Sequence, residues 1–302
     1  MDIKTFVFKT INLFTDTIGL LIFGNVVYLT IKYKDLHTLC HILLGLYSLS
    51  QACSKVVLLP SYILYVLQST IPLYVCVLIA LIPRALMMGT FTFMVAIGID
   101  RMLGICFPFW YIQNKSKLYR ILLVGTPFLY PLYYLYLMIQ DLPNNSPSNC
   151  LLNYVNVFNT LFPIICVIFT LFCYLIILLK AIFGKDPIGQ SLREAILKSS
   201  ATLIFIQNFG WICYLSVNFY ITNYIEDNDQ ILLYWNFATI FSSLITIIEV
   251  LSLFITSSSH LNALKMEFEW ILKLFHKTQI NNSVVITNIK INKICQNSLN
   301  KN

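Results

Sequence analysis

Seven long apolar runs constrain this chain more than any other feature of its sequence. They cover roughly residues 12–33, 41–66, 70–99, 118–139, 151–183, 195–222 and 230–256. Each run has about the 20 residues that a helix needs to cross the hydrocarbon core of a bilayer, ~30 Å thick. Only 11% of the residues are charged, against about 25% in soluble proteins. The sequence therefore predicts an all-α membrane protein, with a seven-transmembrane helix bundle over residues 1–256.

The positions of the basic residues indicate how the bundle is oriented. Lysines and arginines fall in the first, third and fifth connections and in the tail, whereas the other three connections contain none. Because basic loops stay in the cytoplasm, we expect the N-terminus outside the plasma membrane and the tail inside. This placement explains the net charge of +7 without a nucleic-acid partner, and it suits contact with anionic inner-leaflet lipids.

The tail divides into two segments with different patterns. Residues 257–276 carry apolar side chains at helical spacing, at Leu261, Leu264, Phe268, Ile271, Leu272 and Phe275. This spacing predicts an amphipathic juxtamembrane helix on the inner membrane surface. Residues 277–302 are polar and rich in asparagine, which predicts a flexible cytoplasmic tail.

The third run begins near Cys76 and ends at the charged pair Asp100 and Arg101. As a helix, the stretch from Cys76 to Arg101 is ~37 Å long, so its ends lie at opposite faces of a membrane. Cys150 lies in the next outer loop, and both cysteines face the oxidising side. We expect them to form a disulfide; the alternative is two free thiols. Asn144 in the same loop is a candidate glycan acceptor, although a proline follows its Asn-Asn-Ser motif.

These features, in this order, resemble a rhodopsin-type G-protein-coupled receptor. Gly24-Asn25 is similar to the glycine-asparagine pair of that family's first helix. The segment IGIDRMLGICFPFWY, residues 97–111, most resembles the nematode serpentine chemoreceptors of the Srsx class. The resemblance implies a receptor for an environmental chemical or a peptide-like cue, coupled to a heterotrimeric G protein. It also implies a chemosensory neuron, with a sensory cilium as a candidate location; pairing into a receptor dimer is left open.

Several residues depart from the pattern of that family. Ser50 or Gln51 stands where the family often has a sodium-binding aspartate, and Met102 follows the Asp-Arg pair in place of tyrosine. No proline lies beside Trp211, and Glu249 is near the place of the family's Asn-Pro pair. These departures leave open a decoy receptor that binds its ligand without signalling.

The resemblance implies a G-protein coupling switch at the inner end of the third span. Arg101 would pair with Asp100 at rest and turn toward Tyr174 when a G protein enters. Pro108 and Tyr111 would belong to the following inner loop, which touches the G protein. The alternatives are a charged pair that only anchors the helix end in water and an interfacial belt of aromatic residues.

Ionisable residues inside the runs suggest a binding site, because each charge within a membrane costs ~2.5–3.5 kcal/mol. We expect Arg84 and Lys55, together with Trp211, to line a cavity that favours an acidic ligand. The alternatives are internal pairing, for example with Glu249, and ordinary aromatic packing. Asn25 is expected to hydrogen-bond in an intramembrane polar network, for example with Glu249.

Other classes of protein are less well supported by the sequence. A small secondary transporter would also explain intramembrane charges, but it predicts internal two-fold similarity, which the sequence lacks. The signatures G-x-S-x-G, H-E-x-x-H and G-x-x-x-x-G-K are missing, and the four histidines lack the spacing of a metal site. The sequence therefore predicts no enzyme, no cofactor and no metal centre.

Overall fold

The structure is a computed structural model of the 302-residue chain. It describes residues 3–113, 117–140, 147–148, 161–183, 206, 208–217, 219–221, 224–225 and 228–269. Apart from turns, these residues are helical, with one pair of two-residue antiparallel strands, β1 (Ile71–Pro72) and β2 (Pro147–Ser148). The helices are α1 (Ile3–Lys32), α2 (Leu39–Lys55), α3 (Leu58–Val66), α4 (Leu73–Cys106), α5 (Pro108–Gln113), α6 (Lys117–Gly125), α7 (Leu129–Gln140), α8 (Leu161–Phe183), α9 (208–217), α10 (Asn228–Thr256) and α11 (258–269).

Six stretches within the described ranges are long and apolar enough to cross a membrane. They are Phe6–Lys32, Leu39–Val66, Leu73–Cys106, Lys117–Gln140, Leu161–Lys180 and Leu233–Ile255. The run expected at 195–222 is described only in part, as α9 and residues 219–221. The predicted all-α membrane fold is confirmed.

Helix α4 lies at the centre of the packing. It contacts α2, α7 and α8, while α1 contacts α2 and α10. Met88, Phe91 and Phe93 of α4 are at most 1% exposed, and the ring of Phe93 meets Phe128 edge to face at 5.1 Å. The helix that spans from Cys76 to the Asp-Arg pair is therefore also the one around which its neighbours assemble.

The second span is broken into α2 and α3 because of Pro60. A proline within a helix lacks the N–H for one hydrogen bond, and its ring clashes with the carbonyl four residues earlier, here that of Val56. At this point the backbone forms hydrogen bonds that span three residues instead of four. The N–H of Val56 donates to the Cys53 oxygen, and that of Val57 donates to the Ser54 oxygen. Lys55 consequently ends α2 beside an irregular turn.

The fourth span is interrupted by a 3-10 turn, Thr126–Phe128, between α6 and α7. Pro131 has no N–H for the carbonyl of Pro127, which would be its helical partner. Instead, the hydroxyl of Thr92 on α4 donates a hydrogen bond to the Pro127 oxygen at 2.7 Å. A neighbouring helix thus satisfies the freed carbonyl, as an apolar membrane requires.

Residues 1–257 form one compact unit, and residues 258–302 form a second. Within the second unit, α11 covers 258–269. The remainder of the expected amphipathic helix and the expected flexible tail, 277–302, lie outside the described residues.

Candidate functional site

The inner end of α4 holds a buried carboxylate with two tyrosine partners. Asp100 is 3% exposed. The hydroxyl of Tyr111 donates a hydrogen bond to its Oδ1 at 3.0 Å, and that of Tyr119 does so at 3.3 Å. Tyr111 reaches the site because the chain turns at Phe107 and begins α5 at once. Asp100 thereby joins three consecutive helices, α4, α5 and α6.

Arg101 is half-buried beside this carboxylate. Its guanidinium hydrogen-bonds with the thiol of Cys40 at the start of α2 and lies within electrostatic range of Tyr174 and Asp100. Tyr174 belongs to α8, where its ring packs 3.6 Å from the position a Cβ would take at Gly98. The structure therefore brings together the residues assigned to the switch, while their role in coupling stays a prediction.

The phenol of Tyr111 is held in its protonated, donating form. Burial raises the pKa of Tyr111 well above its ordinary value, and the neighbouring carboxylate of Asp100 raises it further. The partner Tyr119 was not predicted from the sequence. In the sequence, Tyr119 stands out only as an aromatic residue between the basic residues that begin the fourth span. Such a position is common at membrane interfaces and does not indicate a partner.

Aromatic residues are exposed on and just before α5. Phe107, Phe109 and Trp110 are 57%, 79% and 44% exposed, and Pro108 is exposed with them. Side chains of this size left uncovered at one end of a bundle are typical of an interface with lipid or with a protein. This surface adjoins the Asp100 cluster, because Tyr111 belongs to the same short helix.

Lys55 forms an ion pair that the sequence patterns did not indicate. Its Nζ lies 3.1 Å from Asp16 Oδ1 on α1, with the two side chains 11% and 7% exposed. The same Nζ donates a hydrogen bond to the Ser243 hydroxyl of α10 at 2.8 Å, and that hydroxyl donates to Asp16 Oδ1 at 2.7 Å. The internal partner of Lys55 is thus Asp16 and not Glu249. Arg84, the other cation assigned to a cavity, is half-buried in α4.

Glu249 and Asn25 do not meet. Glu249 is 2% exposed on α10 and accepts a hydrogen bond from the hydroxyl of Tyr47 at 3.1 Å, which in turn accepts one from the amide of Gln51 at 3.0 Å. Asn25 is exposed, so the expected contact between the two is corrected. The cause is helical phase: at ~100° per residue, the buried face of α1 passes through Phe23 and Val26 and leaves Asn25 outside.

Trp211 lies in a buried aromatic cluster that joins three helices. It is 6% exposed, and its ring centroid is 4.3 Å from Phe91 of α4 and 5.7 Å from Tyr214. Tyr214 in turn contacts Trp235 of α10 at 6.3 Å. The residue assigned to a cavity wall therefore also packs α9 against its neighbours.

At the opposite end of α4, Cys76 takes part in a disulfide. Its expected partner Cys150 and the glycan candidate Asn144 lie outside the described residues. Strand β1 pairs with β2, which sets Ile71 opposite Ser148. The loop after the fourth span is thus already bound next to the start of α4, two residues before Cys150.

Among the described residues, no group of three or more His, Cys, Asp or Glu side chains could hold a metal ion. A family model described as serpentine type 7TM GPCR chemoreceptor Srsx matches residues 17–268. The chain belongs to this family. The match runs from the middle of α1 to the last turn of α11 and confirms the resemblance and the seven-helix class. The chain is therefore a membrane-embedded receptor of the chemosensory class, and no curated protein matches it.

Proposed function

We propose that the chain detects an extracellular small molecule or peptide-like cue and activates a heterotrimeric G protein through the inner end of α4. The observation that carries this proposal is the convergence of Asp100, Arg101, Tyr111 and Tyr174 on one site. A charged pair that served only to anchor a helix end would have no need of tyrosines from the neighbouring helices.

The proposed switch is a change in the partners of Arg101. With Asp100 held by Tyr111 and Tyr119, Arg101 stays against α2 through Cys40. When the inner ends of the third, fifth and sixth spans separate, Arg101 would turn fully toward Tyr174, and the exposed aromatic surface on α5 would meet the G protein. A ligand shifts this balance only by binding the open packing more tightly than the closed one.

The proposed ligand site lies among the outer halves of the second, third, sixth and seventh spans. Arg84 is eight residues, ~12 Å along the helix, from Cys76, and it is half-buried. This depth supports recognition of an acidic group such as a carboxylate. Lys55, which is paired with Asp16, would add positive potential to this site. Trp211 would form an apolar wall.

The same proposal includes the orientation of the chain, its location, its disulfide and its contacts with other molecules. The N-terminus lies outside the plasma membrane, with a sensory cilium as the candidate location, and the inner surface contacts anionic lipid. Cys76 pairs with Cys150, and this is supported by the bond between β1 and β2. Asn144 then lies on the glycosylated side, and two copies can meet through lipid-facing helices.

The test is nucleotide exchange on a panel of Gα subunits co-expressed with the tagged chain, with and without a panel of carboxylic and neutral odorants. We expect exchange that disappears in Arg101→Ala. The matched control is Arg120→Ala, which removes an exposed arginine of α6 and should leave exchange unchanged.

Surface staining must accompany each variant, so that loss of exchange is not confused with loss of the receptor. If the chain reaches the surface, binds a ligand and drives no Gα, it is a decoy. If instead it takes up a radiolabelled solute, the transporter alternative is correct and the receptor proposal fails.

A further inference from the structure

The most distinctive buried cluster outside the proposed switch is the triangle of Asp16, Lys55 and Ser243, here called the α10 clasp. Its three contacts measure 2.7–3.1 Å and connect α1, α2 and α10. Each of the three atoms touches the other two. Ser243 is 4% exposed, and the side chains of Lys55 and Asp16 are 11% and 7% exposed, so most of the cluster is shielded from solvent.

Stability alone does not account for such a cluster. A buried ion pair loses so much hydration that apolar residues of similar volume often serve a protein equally well. Charges inside a membrane span are costly and tend to mark a function. The α10 clasp also lies where α2 ends at an irregular turn, and the stem of Lys55 passes 3.6 Å from the position of a Cβ on Gly19. Lys55 is therefore bonded to Asp16 and Ser243, and its stem packs against α1.

Helix α10 is in turn bound closely to α9 at the same level. A Cβ on Gly210 would overlap the side chain of Ile245, two residues after Ser243. Two helices this close cannot slide independently, because interiors at van der Waals contact transmit displacement. Whatever holds α10 at Ser243 therefore also restrains α9, one of the helices whose inner end must move for coupling.

We propose that the α10 clasp is an autoinhibitory contact that holds α10, and α9 with it, in the closed packing of the bundle. The inference rests on the proposed function, since its effect is read as receptor activity. Release of the clasp lowers the cost of opening and raises activity without ligand. Coupling between sites in allosteric proteins is typically on the order of 5- to 150-fold, so we expect roughly a tenfold rise in basal exchange.

The experiment compares Asp16→Asn, Lys55→Met and the double variant with the full-length wild-type chain, at matched surface amounts. Because the two side chains form one contact, the double variant should show the same rise as either single variant and not their product. The controls Asp35→Asn and Lys34→Met remove the same charges at exposed positions and should leave basal exchange unchanged. If the wild-type chain drives basal exchange and the three clasp variants leave its rate unchanged, the proposal is overturned.

A second measurement separates failure of the clasp from failure of the proposed function. Amide hydrogen exchange of residues 239–247 in the purified chain reports local opening of α10 without a G protein. We expect faster exchange in Asp16→Asn and in the double variant than in the wild type and Lys34→Met. If no Gα responds to any variant, the receptor proposal fails. Hydrogen exchange then decides the clasp, and unchanged rates at 239–247 overturn it.

Discussion

At the scale of single residues, the two tyrosines on Asp100 are the contacts most open to test. When a buried carboxylate loses a hydrogen-bond donor, the folded state is destabilised by about 1–3 kcal/mol. We therefore expect Tyr119→Phe and Tyr111→Phe each to lower the free energy of unfolding by roughly that amount, measured by thermal unfolding in detergent. Tyr133→Phe is the matched control, because Tyr133 is 55% exposed on α7. Equal midpoints of thermal unfolding for Tyr119→Phe and Tyr133→Phe would contradict a stabilising hydrogen bond from Tyr119 to Asp100.

The same contact carries a pH signature. The pKa of Tyr111 is raised in the folded chain by burial and by Asp100, whereas an unfolded tyrosine titrates near ~10. Below pH ~10 the phenol is protonated in both states, and its contribution is complete. Above that pH the unfolded chain releases the proton and the folded chain does not, so stability falls. Above pH ~10, the free energy of unfolding of the wild type should fall more steeply with pH than that of Tyr111→Phe. Between pH 6 and 9 the two chains should show the same pH dependence, measured by thermal unfolding.

Sequence patterns predicted Asp100, Arg101 and Tyr111 because they stand together in one recognisable segment. They did not predict Asp16, because a single carboxylate in an otherwise apolar run carries no signal of its partner. Lys55 is 39 positions further along the chain and Ser243 much further still. Only the packing of α1 against α2 and α10 brings the three together, and a one-dimensional pattern does not encode that packing.

At the scale of helical elements, the broken fourth span depends on one side chain from α4. Thr92→Val keeps the shape and removes the donor to the Pro127 carbonyl, so we expect a loss of about 1–3 kcal/mol. In a Pro131→Ala background, the restored N–H of residue 131 can bond the same carbonyl. The effect of Thr92→Val should then largely disappear, and thermal unfolding of the four chains of this double-mutant cycle measures the difference.

A cycle with equal effects in both backgrounds would show that Thr92 acts through some other contact, such as its bond to the Gly89 oxygen at 2.9 Å. Thr17→Val is the control, because the Thr17 hydroxyl bonds to the Leu13 carbonyl one turn before it in the same helix. The two prolines at the interruption, Pro127 and Pro131, can be read directly from the sequence. The residue that makes it tolerable was not predicted, because it belongs to another helix.

At the scale of the whole molecule, the length of the apolar runs predicted the class of fold, since that length follows from the thickness of the bilayer and not from any particular partner. The rotation of each helix is a different matter. Asn25 was expected inside and lies outside, because one residue of helix turns a side chain by ~100° and hydropathy does not fix that phase. The buried face of α1 passes instead through Asn12, Asp16 and Phe23, which are spaced by four and seven residues.

The disulfide of Cys76 connects the outer end of α4 to another part of the chain, and the identity of its partner can be tested. Cys76 is bonded, and the β1–β2 pair holds Ser148 beside the start of α4, so we expect Cys150 as its partner. Cys76→Ser, Cys150→Ser and the double variant should each lose the same stability, about 2–4 kcal/mol, because any one of them removes the whole bond. Cys53→Ser, which removes a free thiol, should leave the midpoint unchanged.

Peptide mapping of the unreduced chain should then recover Cys76 and Cys150 in one linked fragment. The bond closes a long loop, but α4, α6 and α7 are held by the membrane even when packing is lost, so the gain should lie below that of a free chain of equal length. Additive losses in the double variant would mean that the two cysteines act separately. In that case the pairing of β1 with β2 would hold the described part of the loop after the fourth span to the start of α4 without a disulfide to Cys150.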